Sequence, residues 1–128
     1  MIKVFEKSDN DTQLCKGLRL EEFHCNCKLK SCRATMITTE LIKAFEKFRA
    51  LINQPMKINS GYRCTQHNFN EGGKSQSRHQ FGQAIDIHYS WDDLLDVEET
   101  ISALKACGFK FVLWYPNERF FHCDVRGT

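Results

Sequence analysis

Ser77-Arg78-His79-Gln80-Phe81-Gly82-Gln83-Ala84-Ile85-Asp86-Ile87-His88-Tyr89 is the stretch from which the fold is read. From Gln83 the residues alternate: Gln83, Ile85 and Ile87 fall on one side, Ala84, Asp86 and His88 on the other. Successive side chains of a strand point to opposite faces, so this pattern predicts a strand whose second face carries two polar groups. Upstream lies a long polar segment, Ser60 to Arg78, which holds three of the chain's seven glycines. Loops of that length in a compact domain often carry function. Before it come a short strand candidate at Met56–Asn59 and, from Thr38 or Thr39, a helix. Leu41, Ile42, Phe45, Phe48, Leu51 and Ile52 recur at helical spacing, with a hydroxyl cap before them and Pro55 after them. Downstream, Ser90 with Asp93 predicts a capping box for a second helix bearing Leu94, Leu95, Val97, Ile101 and Leu104, which Gly108 stops. Phe109–Tyr115 and Arg119–Arg126, joined through Pro116 and Asn117, read as an antiparallel hairpin. The expected fold class is α+β, a small antiparallel sheet with helices packed on it.

Residues 1–35 show no sustained period and are expected to be an irregular, cysteine-rich segment with one short helix near Leu18–Phe23. With 128 residues the chain is expected to be a single domain, residues 1–128, able to bury about two-thirds of its unfolded surface without staples. Eighteen basic against sixteen acidic side chains leave a charge of +2 and no like-charged run, which argues against nucleic acid as partner. No window approaches the roughly 20 apolar residues of a membrane span, and the first residues lack the apolar centre of a secretion signal. Synthesis and folding in the cytoplasm are therefore the expectation. Seven cysteines are an odd number, and a reducing compartment disfavours disulfides. Cys25, Cys27 and Cys32 cluster as C-x-C-x4-C beside His24, an incomplete match to a structural zinc site, which takes four ligands and usually spaces its cysteines as two C-x2-4-C pairs. The reading of these three stays open between a metal, disulfides and reduced, half-buried thiols.

A catalytic zinc ion takes three protein ligands from His and carboxylate and keeps one position for water. His79 ends the polar segment, and Asp86 follows seven residues later on the predicted strand. Gly82 between them allows the backbone to bend. In the last strand His122 and Asp124 share a face, while Phe121, Cys123 and Val125 point into the core. If the two strands share a sheet, His79, Asp86 and His122 form a two-His, one-carboxylate triad, with Asp124 behind it or beside the bound water. Singly placed histidines such as His24, His67 and His88 read as surface or satisfied core residues.

Ser60-Gly61-Tyr62-Arg63, His67-Asn68, Gly72-Gly73, Ser77-x-His79-x-x-Gly82-x-Ala84-x-Asp86-Ile87 and Phe121-His122-Cys123-Asp124-Val125-Arg126 resemble, in this order, the signature of the zinc D-Ala-D-Ala carboxypeptidase family of peptidoglycan peptidases, over about residues 18–127. The resemblance implies the hedgehog/DD-peptidase fold, with Zn2+ on His79, Asp86 and His122, and Arg63 and Ser77 holding substrate carboxylate or carbonyl oxygen. Several branches of the superfamily place an acidic base three residues before the last histidine ligand, where this chain has Arg119. Asp124, on the face of His122, is then the first candidate for the base and Glu118 the second. An alternative alignment makes Asp124 a ligand with His122 beside the water. The implied function is a zinc peptidase cleaving an amide of peptidoglycan stem peptides or cross-links, as carboxypeptidase or endopeptidase. Such an enzyme is expected to act as a monomer at the cell wall or periplasm, as a phage endolysin would. The competing readings are a non-catalytic zinc module of the same fold, as in the hedgehog signalling domain, and a cysteine-stapled structural protein.

Overall fold

The computed structural model describes residues 1–6, 12–25, 34–64 and 77–127. Its centre is a four-stranded antiparallel sheet of order β5-β6-β8-β7, formed by β5 (Ile58–Ser60), β6 (Ala84–His88), β7 (Phe111–Tyr115) and β8 (Phe120–Asp124). The alternation read from the sequence decides which face is apolar. Ile85, Ile87, Phe121 and Cys123 are fully buried on one side, and Val125 beyond the strand is nearly so. Asp86, His122 and Asp124 occupy the other side. The predicted hairpin forms with tighter bounds than expected.

Helix α2 (Thr39–Ile52) packs Leu41, Ala44, Phe45, Phe48 and Ile52 into the core. Its cap is the predicted hydroxyl: Thr38 Oγ1 accepts from the Leu41 amide at 3.2 Å. It ends at Asn53, whose φ of 52° is a left-handed helix terminus. Helix α3 (Val97–Cys107) contacts α2 and β7. Its start corrects the sequence reading. The capping box is Asp96 with Glu99, not Ser90 with Asp93: Asp96 Oδ1 accepts from the Glu99 amide at 2.8 Å and Glu99 Oε1 from the Asp96 amide at 3.0 Å. The reason lies in Trp91, fully buried between Phe48 (edge-on, 5.3 Å) and Phe121 (stacked, 6.0 Å). Its Nε1–H donates to the buried Thr100 Oγ1 at 2.9 Å, which pins residues 91–95 as a turn against α3.

The N-terminal part is more regular than expected. β1 (Ile2–Glu6) pairs antiparallel with β4 (Ala34–Thr38), and β2 (Gln13–Cys15) with β3 (Leu18–Arg19). The anticipated short helix is α1 (Leu20–Phe23). β4 leads directly into α2, and its end is tied to the turn before β6 where the Thr38 amide donates to the Gly82 carbonyl at 3.0 Å. Among the described residues no helix is long and apolar enough to cross a membrane.

Candidate metal centre

Three elements converge on the polar face of the central sheet. β6 contributes Asp86, and β8 contributes His122 directly across the ladder. A 3-10 turn, Arg78–Phe81, contributes His79 just before β6. Gly82 ends that turn with φ of 67°, a conformation that costs an L side chain about 1–2 kcal/mol. A Cβ there would also lie 2.4 Å from the Met36 carbonyl oxygen. Glycine thus allows the seven-residue return that sets His79 over Asp86.

Each imidazole has its tautomer fixed from behind. His79 is nearly inaccessible to solvent, and its Nδ1 stands 2.7 Å from the Gly61 carbonyl oxygen. A carbonyl only accepts, so Nδ1 carries a proton, and in the neutral ring Nε2 is the nitrogen that presents a lone pair. That Nε2 lies 3.2 Å from Asp86 Oδ1. His122 Nε2 stands 2.9 Å from Asp124 Oδ2 and donates to it, which turns Nδ1 to within 3.0 Å of the same Asp86 Oδ1. Donor atoms of His79, Asp86 and His122 all lie within 4.8 Å of one another. Two imidazole lone pairs and a carboxylate oxygen facing each other repel unless positive charge sits among them, as a proton or a metal ion.

The titration behaviour expresses the same demand. Burial raises the pKa of Asp86, but hydrogen bonds from His122 and His79 outweigh it and hold the carboxyl at about 2. Burial lowers the pKa of His122, yet its bonds to Asp124 and Asp86 carry it to about 9. A divalent cation satisfies this charge deficit with ligands of the right type, two imidazoles and a carboxylate.

Asp124 has no solvent exposure and is committed on both oxygens. Oδ1 accepts from Arg126 N at 3.1 Å and Nε at 2.8 Å, and Oδ2 accepts from Arg126 Nη2 at 2.7 Å and from His122. Burial acts to raise its pKa, and Arg126 with His122 holds it well below the usual carboxylate range. Arg126 itself lies over the Phe111 ring at 3.9 Å. Arg126 and the Gly61 carbonyl were not singled out by sequence. Arg126 carries a readable signal, standing two residues beyond Asp124, whereas a carbonyl acceptor carries none.

Arg63 Nη2 approaches Asp86 Oδ2 at 3.7 Å, its Nε donates to Ser60 Oγ at 3.3 Å, and its backbone amide donates to the His79 carbonyl. Ser77 is half-buried at the start of the 3-10 turn. Glu118 is exposed in the turn between β7 and β8, and Arg119 reaches over the Tyr89 ring at 5.2 Å. His88 pairs with Phe120 further along β6, and His24 Nδ1 contacts the Cys25 carbonyl at 3.1 Å. Of the cysteine cluster, Cys25 is buried, whereas Cys27 and Cys32 lie outside the described residues, as do His67, Asn68, Gly72 and Gly73.

An antiparallel sheet and the 3-10 turn before β6, together presenting two imidazoles and one carboxylate to a common point, define a candidate mononuclear metal centre on an α+β scaffold. The sequence profile of the peptidase M15 family matches residues 16–124, spanning every strand and residue of this centre, and the chain belongs to that family. No curated protein matches it.

Proposed function

We propose that this peptidase is a zinc-dependent hydrolase of an amide bond in peptidoglycan stem peptides or cross-links, with His79, Asp86 and His122 as the metal ligands. The observation that supports it most is the convergence of His79 Nε2 and His122 Nδ1 on Asp86 Oδ1, each ring held in the ligating tautomer by an acceptor behind it. Zinc, when bound, polarises the scissile carbonyl and brings the pKa of a water molecule from 15.7 to about 7.

The chain's own groups supply orientation and charge. The Gly61 carbonyl and Asp124 keep His79 and His122 from rotating. Arg63, beside Asp86, is placed to grip a terminal carboxylate or the carbonyl oxygen of the substrate through two parallel N–H donors. Ser77, two residues before His79 and half-buried, contributes in this reading a hydroxyl to the same end of the peptide. Asp124 acts in this reading as a positioning residue and not as the base that its place beside His122 suggested, because both its oxygens are engaged. The substrate sets the place of action at the cell wall or periplasm, where a monomeric enzyme of endolysin type works.

The engagement of Asp124 also favours a second reading, a zinc-binding module of the same fold without catalysis. Incubating the zinc-loaded protein with purified peptidoglycan and identifying new amine ends by mass spectrometry separates the two. Release of stem-peptide fragments that His79→Ala abolishes supports the peptidase. A zinc-loaded, folded protein that releases nothing across the pH range contradicts it.

A further inference from the structure

A pair of cysteine side chains stands apart from His79, Asp86 and His122. Cys25, at the end of α1, and Cys64, directly after Arg63, are 39 residues apart in sequence, and their Sγ atoms lie 3.7 Å apart. Two backbone contacts bring them there. The Tyr62 amide donates to the Phe23 carbonyl at 2.7 Å, and the Cys64 amide donates to Cys25 Sγ at 3.4 Å. Between them Gly61 sits so tightly on Phe23 that a Cβ would fall 2.4 Å from its carbonyl oxygen. Cys25 has no solvent exposure.

We propose that Cys25 and Cys64 are two ligands of a second metal site, a thiolate site for a zinc-class cation. In a tetrahedral site with metal–sulfur bonds of about 2.3 Å, neighbouring sulfurs are about 3.8 Å apart. The two Sγ atoms already stand at that separation. A cation can therefore bond both without moving either backbone segment, and a backbone N–H directed at Cys25 Sγ stabilises the thiolate form. Thiolates select soft or borderline cations, which sets the class as zinc and excludes calcium and magnesium.

The location gives the site its purpose. Residues 61–63 carry the carbonyl that fixes the His79 tautomer and the guanidinium beside Asp86. A metal bound to Cys64 and Cys25 clasps this segment to α1, and so holds the support of the first centre from behind. The proposal does not depend on catalysis.

Zinc per chain, measured by plasma mass spectrometry on protein purified and desalted under reducing conditions, tests it. The expected values are two for the wild type, one for Cys64→Ser, one for His79→Ala and none for the double variant, with Cys107→Ser remaining at two. Because Cys64→Ser can compromise folding, the wild type is also loaded with cobalt(II). A thiolate-to-cobalt charge-transfer band in the near ultraviolet is expected, which two imidazoles and a carboxylate cannot produce. One zinc that Cys64→Ser removes and His79→Ala retains upholds the thiolate site and contradicts the peptidase centre. Absence of the band in the loaded wild type, or one zinc that Cys64→Ser leaves in place, overturns the thiolate site. So does a Cys25–Cys64 disulfide in the protein as purified.

Discussion

Replacing Asp124 by Asn changes one atom and tests how the centre is held. The carboxylate accepts from Arg126 N, Nε and Nη2 and from His122 Nε2. An asparagine can keep the two bonds at Oδ1, but its amide then faces Arg126 Nη2 and His122 Nε2 with N–H groups. Arg126 is 42% exposed and can turn its Nη2 toward water, so that half of the loss is small. His122 is less free: its ring is only 16% exposed and packs edge-on against His79 at 5.2 Å. It meets the amide by accepting at Nε2, which moves the proton to Nδ1, the atom that faces Asp86. Loss of such a supporting partner weakens metal binding about 10- to 100-fold, or about 1.4–2.7 kcal/mol. The lost charge-assisted bond lowers fold stability by about 1.5–3 kcal/mol. Competition with a chromophoric chelator measures the affinity of the site that His79→Ala removes, and urea unfolding measures the second quantity. A folded Asp124→Asn protein whose affinity stays within twofold of wild type would refute the claim that Asp124 sets the His122 tautomer.

Other positions give independent outcomes. Gly82→Ala places a Cβ at φ 67° against the Met36 carbonyl and is expected to destabilise by at least about 2 kcal/mol, since both strain and a backbone clash act; a urea-derived loss below about 1 kcal/mol contradicts this. Thr100→Val keeps the shape but orphans the buried Trp91 Nε1–H, for an expected loss of about 1–3 kcal/mol in the same assay, and an unchanged midpoint shows that the bond is dispensable. If Arg63 grips substrate as proposed, Arg63→Ala lowers kcat/KM for a carboxylate-terminated stem peptide about 10- to 100-fold, chiefly through KM. An unchanged KM removes Arg63 from substrate binding.

The central sheet was legible because its two faces differ in chemistry. Ile85, Ile87, Phe121 and Cys123 alternate with Asp86, His122 and Asp124, and a period of two shows in sequence wherever one face is apolar and the other polar. The same logic explains why β1 was not legible. Ile2 and Val4 remain largely exposed, and the strand is held by backbone pairing to β4, more than 25 residues away in sequence. The cap of α3 was misplaced because Ser90-x-x-Asp93 matches a local capping pattern, whereas the observed turn is set by the long-range burial of Trp91. The proximity of His79, Asp86 and His122 was readable from residue type, from the shared strand face of Asp86 and His122, and for His79 from the bend that Gly82 allows. The elements that fix their orientation were not. A carbonyl at Gly61 has no sequence signature, and the proximity of Cys64 to Cys25 depends on how residues 61–64 lie along α1.

The most direct test of the metal centre is anomalous diffraction recorded on either side of the zinc absorption edge, from crystals of the zinc-loaded protein. The account predicts a peak at about 2.0–2.2 Å from His79 Nε2, an Asp86 carboxylate oxygen and His122 Nδ1, with His122 Nε2 still bonded to Asp124. A zinc-loaded crystal with no peak among these three atoms, or with the ion bound to His122 through Nε2 beside Asp124, would contradict it.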